Sequence, residues 1–212
     1  MPELVLHHYW RSSSSWRVRW ALAIKGVPWR GEAVDLLTGA QGAAGFVAKS
    51  PMGYVPCLVV DGRPLSESMA IVHWLEETFP SPALLPADAF ARARARQLAE
   101  LVNAGIQPLQ NLAVNRVVSS DKDAQRVWAA RWIERGFASV ERDLELLERE
   151  GLAGRHAIGD AVGLAELYLV PQLYNARRYQ VDLAPYPRLL AVEAAALATE
   201  PAQAAHPDRF QP

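Results

Sequence analysis

Residues 4–26 read LVLHHYWRSSSSWRVRWALAIKG, and this stretch predicts the first two elements of the fold. Leu4 to Tyr9 is a short apolar run that ends at a polar segment, which is typical of a buried strand. The serines Ser12–Ser15 then offer hydroxyl groups that can cap a helix. Large apolar side chains recur behind them at every fourth position, at Trp16, Trp20 and Ile24. We therefore predict a strand followed by a helix that begins at the serines and ends at Gly26.

The sequence up to residue 80 continues this alternation of strands and helices. Residues 29–45 predict a second strand followed by a glycine-rich loop. The apolar runs within Val55–Leu65 flank the pair Asp61-Gly62, which is a strong hairpin signal. Ser66–Ser68 then caps a helix that stops before Pro80.

Beyond residue 80 the composition changes, and only helical periodicity remains. Closely spaced prolines indicate a linker, which we place at residues 81–88. Apolar side chains within Ala124–Glu150 recur at spacings of three to five residues and form one stripe, at Trp128, Trp132, Phe137, Val140, Leu144 and Leu147. Other helices are predicted at 91–118, with a kink at Pro108, at 164–176 and at 186–197. The sequence thus predicts an α/β domain at residues 1–80 and an all-α domain at residues 89–212.

The composition argues against several classes of protein. The 22 Lys and Arg residues against 23 Asp and Glu residues give a net charge of −1, whereas nucleic-acid-binding proteins normally carry a basic excess. No apolar run approaches the roughly 18 residues that span a bilayer, and the N-terminus lacks the features of a signal peptide. Cys57 is the only cysteine, which excludes an internal disulfide and fits a reducing compartment. We expect a cytoplasmic protein that binds neither nucleic acid nor membranes.

Several patches of the sequence resemble one family of enzymes. Arg11–Arg19 matches the Ser-Ser-Cys-x-Trp-Arg-Val-Arg signature of zeta-class glutathione transferases, except that Ser14 occupies the position of the cysteine. The similarity extends to Val55-Pro56, Glu67-Ser68, Gly105–Asn111, Leu169–Tyr179 and Ala205–Arg209. The class includes maleylacetoacetate isomerases and the related bacterial maleylpyruvate isomerases. The resemblance implies the glutathione transferase fold, with a thioredoxin-like glutathione-binding domain, a helical substrate-binding domain and assembly into a homodimer.

The serine segment suits a site that activates a thiol. A free thiol has a pKa of about 8.5, which a helix N-terminus lowers through its partial positive charge and its N–H donors. A hydroxyl group can also donate a hydrogen bond to a thiolate. From the serines alone, an ordinary helix cap is the simpler interpretation. The resemblance favours Ser12 as the catalytic partner of the glutathione thiolate, with Ser13 and Ser14 next and Ser15 as a further contact.

Two more segments match the other parts of glutathione. The family pairs the tripeptide backbone with Val55, and it implies a cis bond at Pro56; a trans proline that starts an edge strand is the alternative. Glu67 offers a carboxylate to the ammonium group of the γ-glutamyl moiety, and Ser68 offers a helix N-terminus to its carboxylate. An ordinary capped surface helix remains the alternative for this pair.

The resemblance adds further expected glutathione contacts. Trp16, Arg17 and Gln41 join the serines in this set. Gln107 and Asn111 lie four residues apart, so that both can project from one predicted helical face. The family uses these two positions as a small polar cluster beside glutathione.

The substrates of the class are dicarboxylates, which need a basic pocket. Arg178 and Arg17 match arginines of the family, and Arg11 is a looser candidate for the same role. Taken individually, each arginine is more typical of a solvated surface. The histidines show no spacing that suits a metal site, and we expect none.

The reaction that the resemblance implies is the isomerisation of maleylacetoacetate to fumarylacetoacetate in the breakdown of tyrosine and phenylalanine. The thiolate of glutathione adds to the double bond, the resulting single bond rotates, and elimination restores glutathione. Ser14 replaces the cysteine of the class, and this replacement favours maleylpyruvate as the alternative substrate. Transfer to small α-halo acids is a second alternative, and a binding module without catalysis is a third.

The sequence also departs from the superfamily at a later helix start. Gly163 stands where Ser or Thr is usual at the N-cap, and Glu166 stands where Asp is usual. Because glycine is tolerated at an N-cap, we interpret this departure as a difference in stability and not in function.

Overall fold

The computed structural model describes every residue from Met1 to Pro212, and the chain divides into two compact units. One unit comprises Met1–Ala83 together with Glu200–Pro212, and the other comprises Leu84–Thr199. The predicted helical domain covers the whole of residues 89–212, whereas the structure groups the last segment with the first unit. The reason is that Ala202 and Ala205 are buried there, and Arg19 Nε donates to the Ala205 carbonyl at 3.4 Å.

Four strands and nine helices follow one another along the chain. The strands are β1 (Leu4–His8), β2 (Arg30–Ala33), β3 (Cys57–Val60) and β4 (Arg63–Ser66). The helices are α1 (Ser13–Lys25), α2 (Ala44–Val47), α3 (Ser68–Thr78), α4 (Ala89–Asn103), α5 (Leu112–Val118), α6 (Lys122–Arg149), α7 (Leu164–Arg178), α8 (Pro187–Leu197) and α9 (Glu200–Ala205). Short 3₁₀ segments lie at Ala40–Gly42, Gln107–Gln110 and Pro207–Phe210. None of the helices is both long enough and apolar enough to cross a bilayer.

The first unit is built on a mixed sheet with the strand order β2-β1-β3-β4. β1 pairs in parallel with β2 and antiparallel with β3, so that Val5 lies opposite both Arg30 and Val59. β1 is central and almost wholly buried, as its apolar run predicts. Both α1 and α3 belong to this unit and pack against each other. The N-termini of these two helices carry most of the predicted site residues.

Local signals in the sequence predicted the turns of this unit correctly. α1 ends at Gly26, whose φ of 61° is the left-handed conformation that glycine adopts readily. At the hairpin between β3 and β4, Asp61 has a φ of 47° and Gly62 has a φ of 78°. Positive φ at both central residues is what a type I′ turn requires, and the predicted hairpin is confirmed.

The second unit consists of helices, and its core follows the predicted stripe of α6 only in part. Four predicted members of the stripe are buried: Phe137, Val140, Leu144 and Leu147. Trp128 and Trp132 are half-buried, and Trp128 Nε1 donates to the Leu109 carbonyl at 2.7 Å. Near Pro108 the chain forms a 3₁₀ segment between α4 and α5 instead of the predicted kink within one helix. Proline removes a backbone donor, which favours such a break.

Candidate glutathione site

The four serines at the N-terminus of α1 differ in how exposed they are. Ser12 is the N-cap residue, and its Oγ accepts a hydrogen bond from Ser15 N at 3.2 Å. Ser12 is half-buried, whereas Ser13, Ser14 and Ser15 are buried. Ser15 Oγ accepts from Tyr9 N at 3.4 Å, so that this hydroxyl helps to close the turn between β1 and α1. Ser12 is therefore the most exposed of the four serines.

A buried arginine joins α1 to the N-terminus of α3. Arg17 has no exposed surface, and its Nη1 donates to Ser68 Oγ at 3.2 Å. The structure thus brings together two predicted site residues that are 51 positions apart in the sequence. With its guanidinium buried behind Ser68, Arg17 supports the start of α3 from inside the fold. The sequence-based set had placed Arg17 among the side chains that contact the substrate directly.

Glu67 precedes α3 in an unusual backbone conformation. Its φ of 71° and ψ of 115° lie in a region that residues other than glycine rarely adopt. The side chain makes no capping hydrogen bond to α3, and the residue is exposed. Such outliers occur most often where a ligand or an active site needs a particular geometry. The carboxylate is therefore available to a ligand beside the helix end that Ser68 begins.

The loop before β3 holds the remaining predicted residues of the first unit. The Val55–Pro56 peptide bond is cis, as expected, and both residues are buried next to the start of β3. Gln41 lies in the 3₁₀ segment Ala40–Gly42, and its Oε1 is buried without a hydrogen-bond partner. The backbone of Gln41 adjoins Gly53, where an added Cβ atom would lie 3.1 Å from the Gln41 carbonyl oxygen. This close approach places Gln41 near the segment that leads into Val55.

Trp16 and Arg11, two other residues predicted to contact a ligand, differ in their burial. Trp16 is 1% exposed, and its ring packs against Trp20 and His206 with centroid distances of 6.2 and 5.1 Å. It is a core residue and supports α1 from behind. Arg11 is half-buried, and its guanidinium carbon lies 5.3 Å from the centroid of the Trp10 ring. A cation–π contact of this kind orients the arginine without neutralising its charge.

The predicted residues of the second unit form no single helical face. Gln107 begins the 3₁₀ segment, and Asn111 is the N-cap of α5, where its Oδ1 accepts from Ala113 N at 2.9 Å. The prediction of one α-helical face is wrong here because the intervening residues have 3₁₀ geometry. Arg178 lies in the last turn of α7, is exposed, and donates to Asn175 Oδ1 at 3.1 Å. It is thus held by a neutral amide.

Comparisons with known proteins identify the family of this chain. The model of the glutathione S-transferase N-terminal domain matches residues 11–78, and that of the C-terminal domain matches residues 130–195. A probable maleylacetoacetate isomerase 2 of Drosophila melanogaster is 43% identical over 205 residues, which cover 96% of this chain and 87% of the relative. The maleylpyruvate isomerase of a Ralstonia species is also 43% identical, over 194 residues and 90% of each chain. The chain belongs to the zeta class of the glutathione S-transferase family.

Solved structures show that the similarity of this chain to its relatives includes the fold. A maleylacetoacetate isomerase from Anaeromyxobacter dehalogenans 2CP-1, with glutathione bound in its active site, is 51% identical with a TM-score of 0.88. That match covers 100% of this chain and 97% of the other. A second structure of the same isomerase holds dicarboxyethyl glutathione and citrate, with a TM-score of 0.87 and coverage of 100% and 93%. The predicted combination of a thioredoxin-like domain and a helical domain is confirmed.

The zeta-class chain also contains a buried polar cluster that the sequence analysis did not assign. Gln110 Nε2 donates to Gln172 Oε1 at 2.8 Å, and the Gln110 carbonyl accepts from Tyr179 Oη and Asn115 Nδ2 at 3.2 and 3.1 Å. Gln110, Gln172 and Tyr179 lie within the patches that carry the resemblance, but their partners are 62 or more positions away in the sequence. No local spacing reveals such a cluster. It fixes the end of the 3₁₀ segment against α7.

The chain's own thiol and metal-binding potential are limited. Cys57 is buried, and burial raises the pKa of its thiol, which donates to the Lys49 carbonyl. A thiol with a raised pKa is a poor nucleophile at neutral pH. No group of three or more His, Cys, Asp or Glu side chains is arranged to hold a metal ion. A nucleophilic sulfur at this site therefore has to come from a bound ligand.

Proposed function

We propose that this protein is a glutathione-dependent isomerase that converts maleylacetoacetate to fumarylacetoacetate. The observation that carries the proposal is the N-terminus of α1, where the Ser12 hydroxyl caps a helix whose first turn contains no acidic residue. A helix end without an acid of its own favours the approach of an external anion. The relatives named maleylacetoacetate isomerase, and the related structures that hold glutathione or dicarboxyethyl glutathione, support the same conclusion.

The residues of the first unit fit the three parts of glutathione. Ser12 Oγ already accepts from Ser15 N, so the hydroxyl proton of Ser12 remains available to donate to a thiolate. Ser68 Oγ accepts from Arg17, and its proton likewise remains available for a carboxylate of the γ-glutamyl group. The exposed carboxylate of Glu67 suits the ammonium group, and the buried Gln41 Oε1 still needs a donor. Glutathione supplies the thiolate that adds to the substrate double bond and leaves again after the bond has rotated.

The chain contributes to this reaction by stabilising the anionic sulfur. A decrease of two units in the pKa of the thiol corresponds to about 2.7 kcal/mol of preference for the thiolate. The partial charge of a 13-residue helix and one hydroxyl donor are of the right size to provide it. The thiol proton passes to water when glutathione ionises. As the thiolate adds, the electrons of the double bond move onto the conjugated ketone as an enolate, and they return when the thiolate is eliminated, so that no step requires a histidine or carboxylate base beside Ser12.

The substrate is proposed to be held by arginines. Arg11 and Arg178 keep guanidinium groups at the surface, where the first contacts Trp10 and the second contacts a neutral amide. The neighbouring Arg177 forms a two-point ion pair with Glu193 at 2.6 and 2.5 Å, which neutralises its charge. On the basis of the resemblance, Arg11 and Arg178 are each a candidate for binding a carboxylate, and we reassign Arg17 to the support of Ser68.

Maleylpyruvate is the second candidate substrate. The Ralstonia maleylpyruvate isomerase is as similar to this chain as the Drosophila relative, at 43% identity in both cases. The two substrates share the cis double bond between a ketone and a carboxylate. We further propose a homodimer in the cytoplasm, on the basis of the resemblance to the class. Light scattering tests the assembly, and a monomer over the whole concentration range contradicts it.

The proposed activity is tested with purified protein and the two substrates in the presence and absence of glutathione. We expect trans product from maleylacetoacetate, and more slowly from maleylpyruvate, only when glutathione is present. Turnover without glutathione, or no turnover of either substrate, overturns the proposal.

The assignment of Glu67 is tested by retention on immobilised glutathione. The variant Glu67→Ala should be retained poorly, because the ammonium group of glutathione loses its counter-ion. Glu77→Ala removes an exposed carboxylate from the other end of the same helix and should be retained as the unchanged protein is. Equal retention of both variants contradicts the role given to Glu67.

A further inference from the structure

Arg19 is a buried cation that forms no ion pair. It lies in α1 with 1% of its surface exposed, and its guanidinium donates only to uncharged groups. Nη1 donates to the Tyr9 carbonyl at 3.3 Å, Nη2 to the Trp10 carbonyl at 3.0 Å and Nε to the Ala205 carbonyl at 3.4 Å. Burial lowers the pKa of Arg19 to about 9, which leaves the group charged at neutral pH. A buried charge without a counter-ion costs stability, so its retention calls for a reason.

Two of the three backbone carbonyls that accept from Arg19, those of Tyr9 and Trp10, belong to the turn that precedes Ser12. The Tyr9 carbonyl accepts from Ser12 N at 3.1 Å as well as from Arg19, and the Trp10 carbonyl follows it in the chain. Tyr9 N in turn donates to Ser15 Oγ. The guanidinium therefore fixes the peptide groups on which the N-cap of α1 rests. Because both carbonyls accept hydrogen bonds from the rigid, planar guanidinium of Arg19, their orientation can change very little.

The segment after α9 closes the other side of this guanidinium. The Phe210 ring lies 4.5 Å from the guanidinium carbon of Arg19, which is a cation–π geometry, and it also stacks on Trp29 at 6.0 Å. His8 Nδ1 lies 3.3 Å from Arg19 Nη1, and burial together with the Arg19 charge lowers the pKa of His8 to about 4. His8 is thus neutral at pH 7 and accepts a hydrogen bond. Carbonyls, a neutral imidazole and an aromatic face surround the charge.

We propose that Arg19 is a positioning residue for the proposed isomerase site, and that the Ala205 carbonyl and the Phe210 ring form a cover that directs its guanidinium onto the Tyr9 and Trp10 carbonyls. The inference rests on the proposed function, because its consequence is the placement of the Ser12 hydroxyl against the thiolate. Arg19 itself is too deeply buried to touch a ligand. Its effect reaches the reaction only through the turn between β1 and α1.

The test compares the variants Arg19→Met, Arg19→Lys and Phe210→Leu with Arg209→Met, which removes an exposed arginine from the same segment. Four quantities are measured well below the melting temperature: the thiol pKa of bound glutathione from the ultraviolet absorbance of the thiolate, kcat, KM, and amide hydrogen exchange of residues 9–16. We expect Arg19→Met to raise the thiol pKa by about one unit and to lower kcat about tenfold, with a smaller change in KM. Amide exchange in residues 9–16 should become faster.

The other variants should change the same quantities by smaller amounts or not at all. Arg19→Lys keeps the charge but reaches fewer carbonyls, so its values should lie between those of Arg19→Met and the unchanged protein. Phe210→Leu leaves Arg19 in place without its cover, and the same shifts should appear at smaller size. Arg209→Met should change none of the four quantities. If Arg19→Met does not fold, Phe210→Leu carries the test on its own.

A purely structural role for Arg19 predicts a different pattern. A lower melting temperature with unchanged thiol pKa, unchanged kcat and unchanged exchange in residues 9–16 overturns the proposal. An unaffected Phe210→Leu overturns the role of the cover. The proposed function fails separately, when the unchanged protein isomerises neither substrate; hydrogen exchange still reports on Arg19 in that case.

Discussion

Two helix N-termini in this protein use the same partial positive charge in opposite ways. α1 begins with hydroxyl groups, and the N-cap residue Ser12 is half-exposed. α7 begins at Gly163 and is capped by the carboxylate of Glu166, which is 1% exposed. Glu166 Oε2 accepts from Gly163 N and Oε1 accepts from Ala157 N, each at 2.8 Å. One helix end already has its anion, whereas the other has only neutral groups.

The difference teaches how a helix end becomes a binding site. At α7 an internal carboxylate occupies the donors; its burial raises its pKa, against the opposing effect of its backbone hydrogen bonds. At α1 the hydroxyls satisfy the geometry of the cap but add no negative charge. The N-terminus of α1 can therefore still attract an external anion, whereas the N-terminus of α7 already interacts with the Glu166 carboxylate. Substitutions at each end should separate these roles.

The largest effect on folding should follow from removal of the carboxylate that caps α7. Glu166→Ala leaves the buried N–H of Ala157 and the part-buried N–H of Gly163 without acceptors, and we expect the free energy of unfolding to fall by about 3 kcal/mol. Urea unfolding, followed by circular dichroism, measures this loss. Glu166→Gln retains one acceptor oxygen and should lose less.

A matched control for this prediction is Glu134→Ala, which removes an exposed carboxylate from α6. Its unfolding free energy should stay within about 0.5 kcal/mol of that of the unchanged protein. If Glu166→Ala is no more destabilising than this control, the carboxylate is not what completes the α7 end.

The next effect concerns catalysis at α1. Ser12→Ala removes the hydroxyl proposed to donate to the thiolate, and we expect kcat to fall about 100-fold, as for the loss of one donor to a reacting anion. The pKa of bound glutathione should rise in parallel. The loss of the cap should also cost about 1 kcal/mol of stability, which is less than at α7. Kinetics and thiolate absorbance, measured on the same samples, check both effects.

The control for Ser12 is Ser139→Ala, on the exposed surface of α6, which should leave kcat and the thiol pKa unchanged. Ser12→Thr keeps the hydroxyl and should restore most of the activity. If Ser12→Ala alters only stability while Ser13→Ala or Ser14→Ala raises the thiol pKa, the donor is one of those two serines.

The sequence could predict features that depend on neighbouring residues. The serine cap of α1, its end at Gly26 and the Asp61-Gly62 hairpin all follow from local preferences, and the structure has each of them. The resemblance added the class and the candidate site residues. Local preferences could not rank the serines, because the Tyr9 N–H that occupies Ser15 Oγ belongs to the preceding turn.

Features that depend on distant contacts were beyond the sequence. Arg17 contacts Ser68 across 51 positions, and Arg19 contacts Ala205 across 186. The resemblance implied a substrate role for Arg17, and nothing local in the sequence indicated that either arginine is buried. The placement of residues 200–212 in the first unit depends on the same contacts. Gly163 is a third case, because the sequence indicated only a weaker cap.

The smallest effect, and the only one whose sign is in question, is expected at Gly163. Capping preferences alone predict that Gly163→Ser stabilises α7 by a few tenths of a kcal/mol. A Cβ atom at this position, however, would lie 2.8 Å from the Leu84 carbonyl oxygen, which is itself held by Leu164 N at 2.8 Å. We therefore expect Gly163→Ser to destabilise the protein by about 1 kcal/mol in urea unfolding. Gly45→Ser, where an added Cβ atom meets nothing within 4 Å, is the control. If Gly163→Ser instead raises the free energy of unfolding, the backbone at Leu84 can move to make room for the side chain, and the N-cap of α7 does not require glycine for steric reasons.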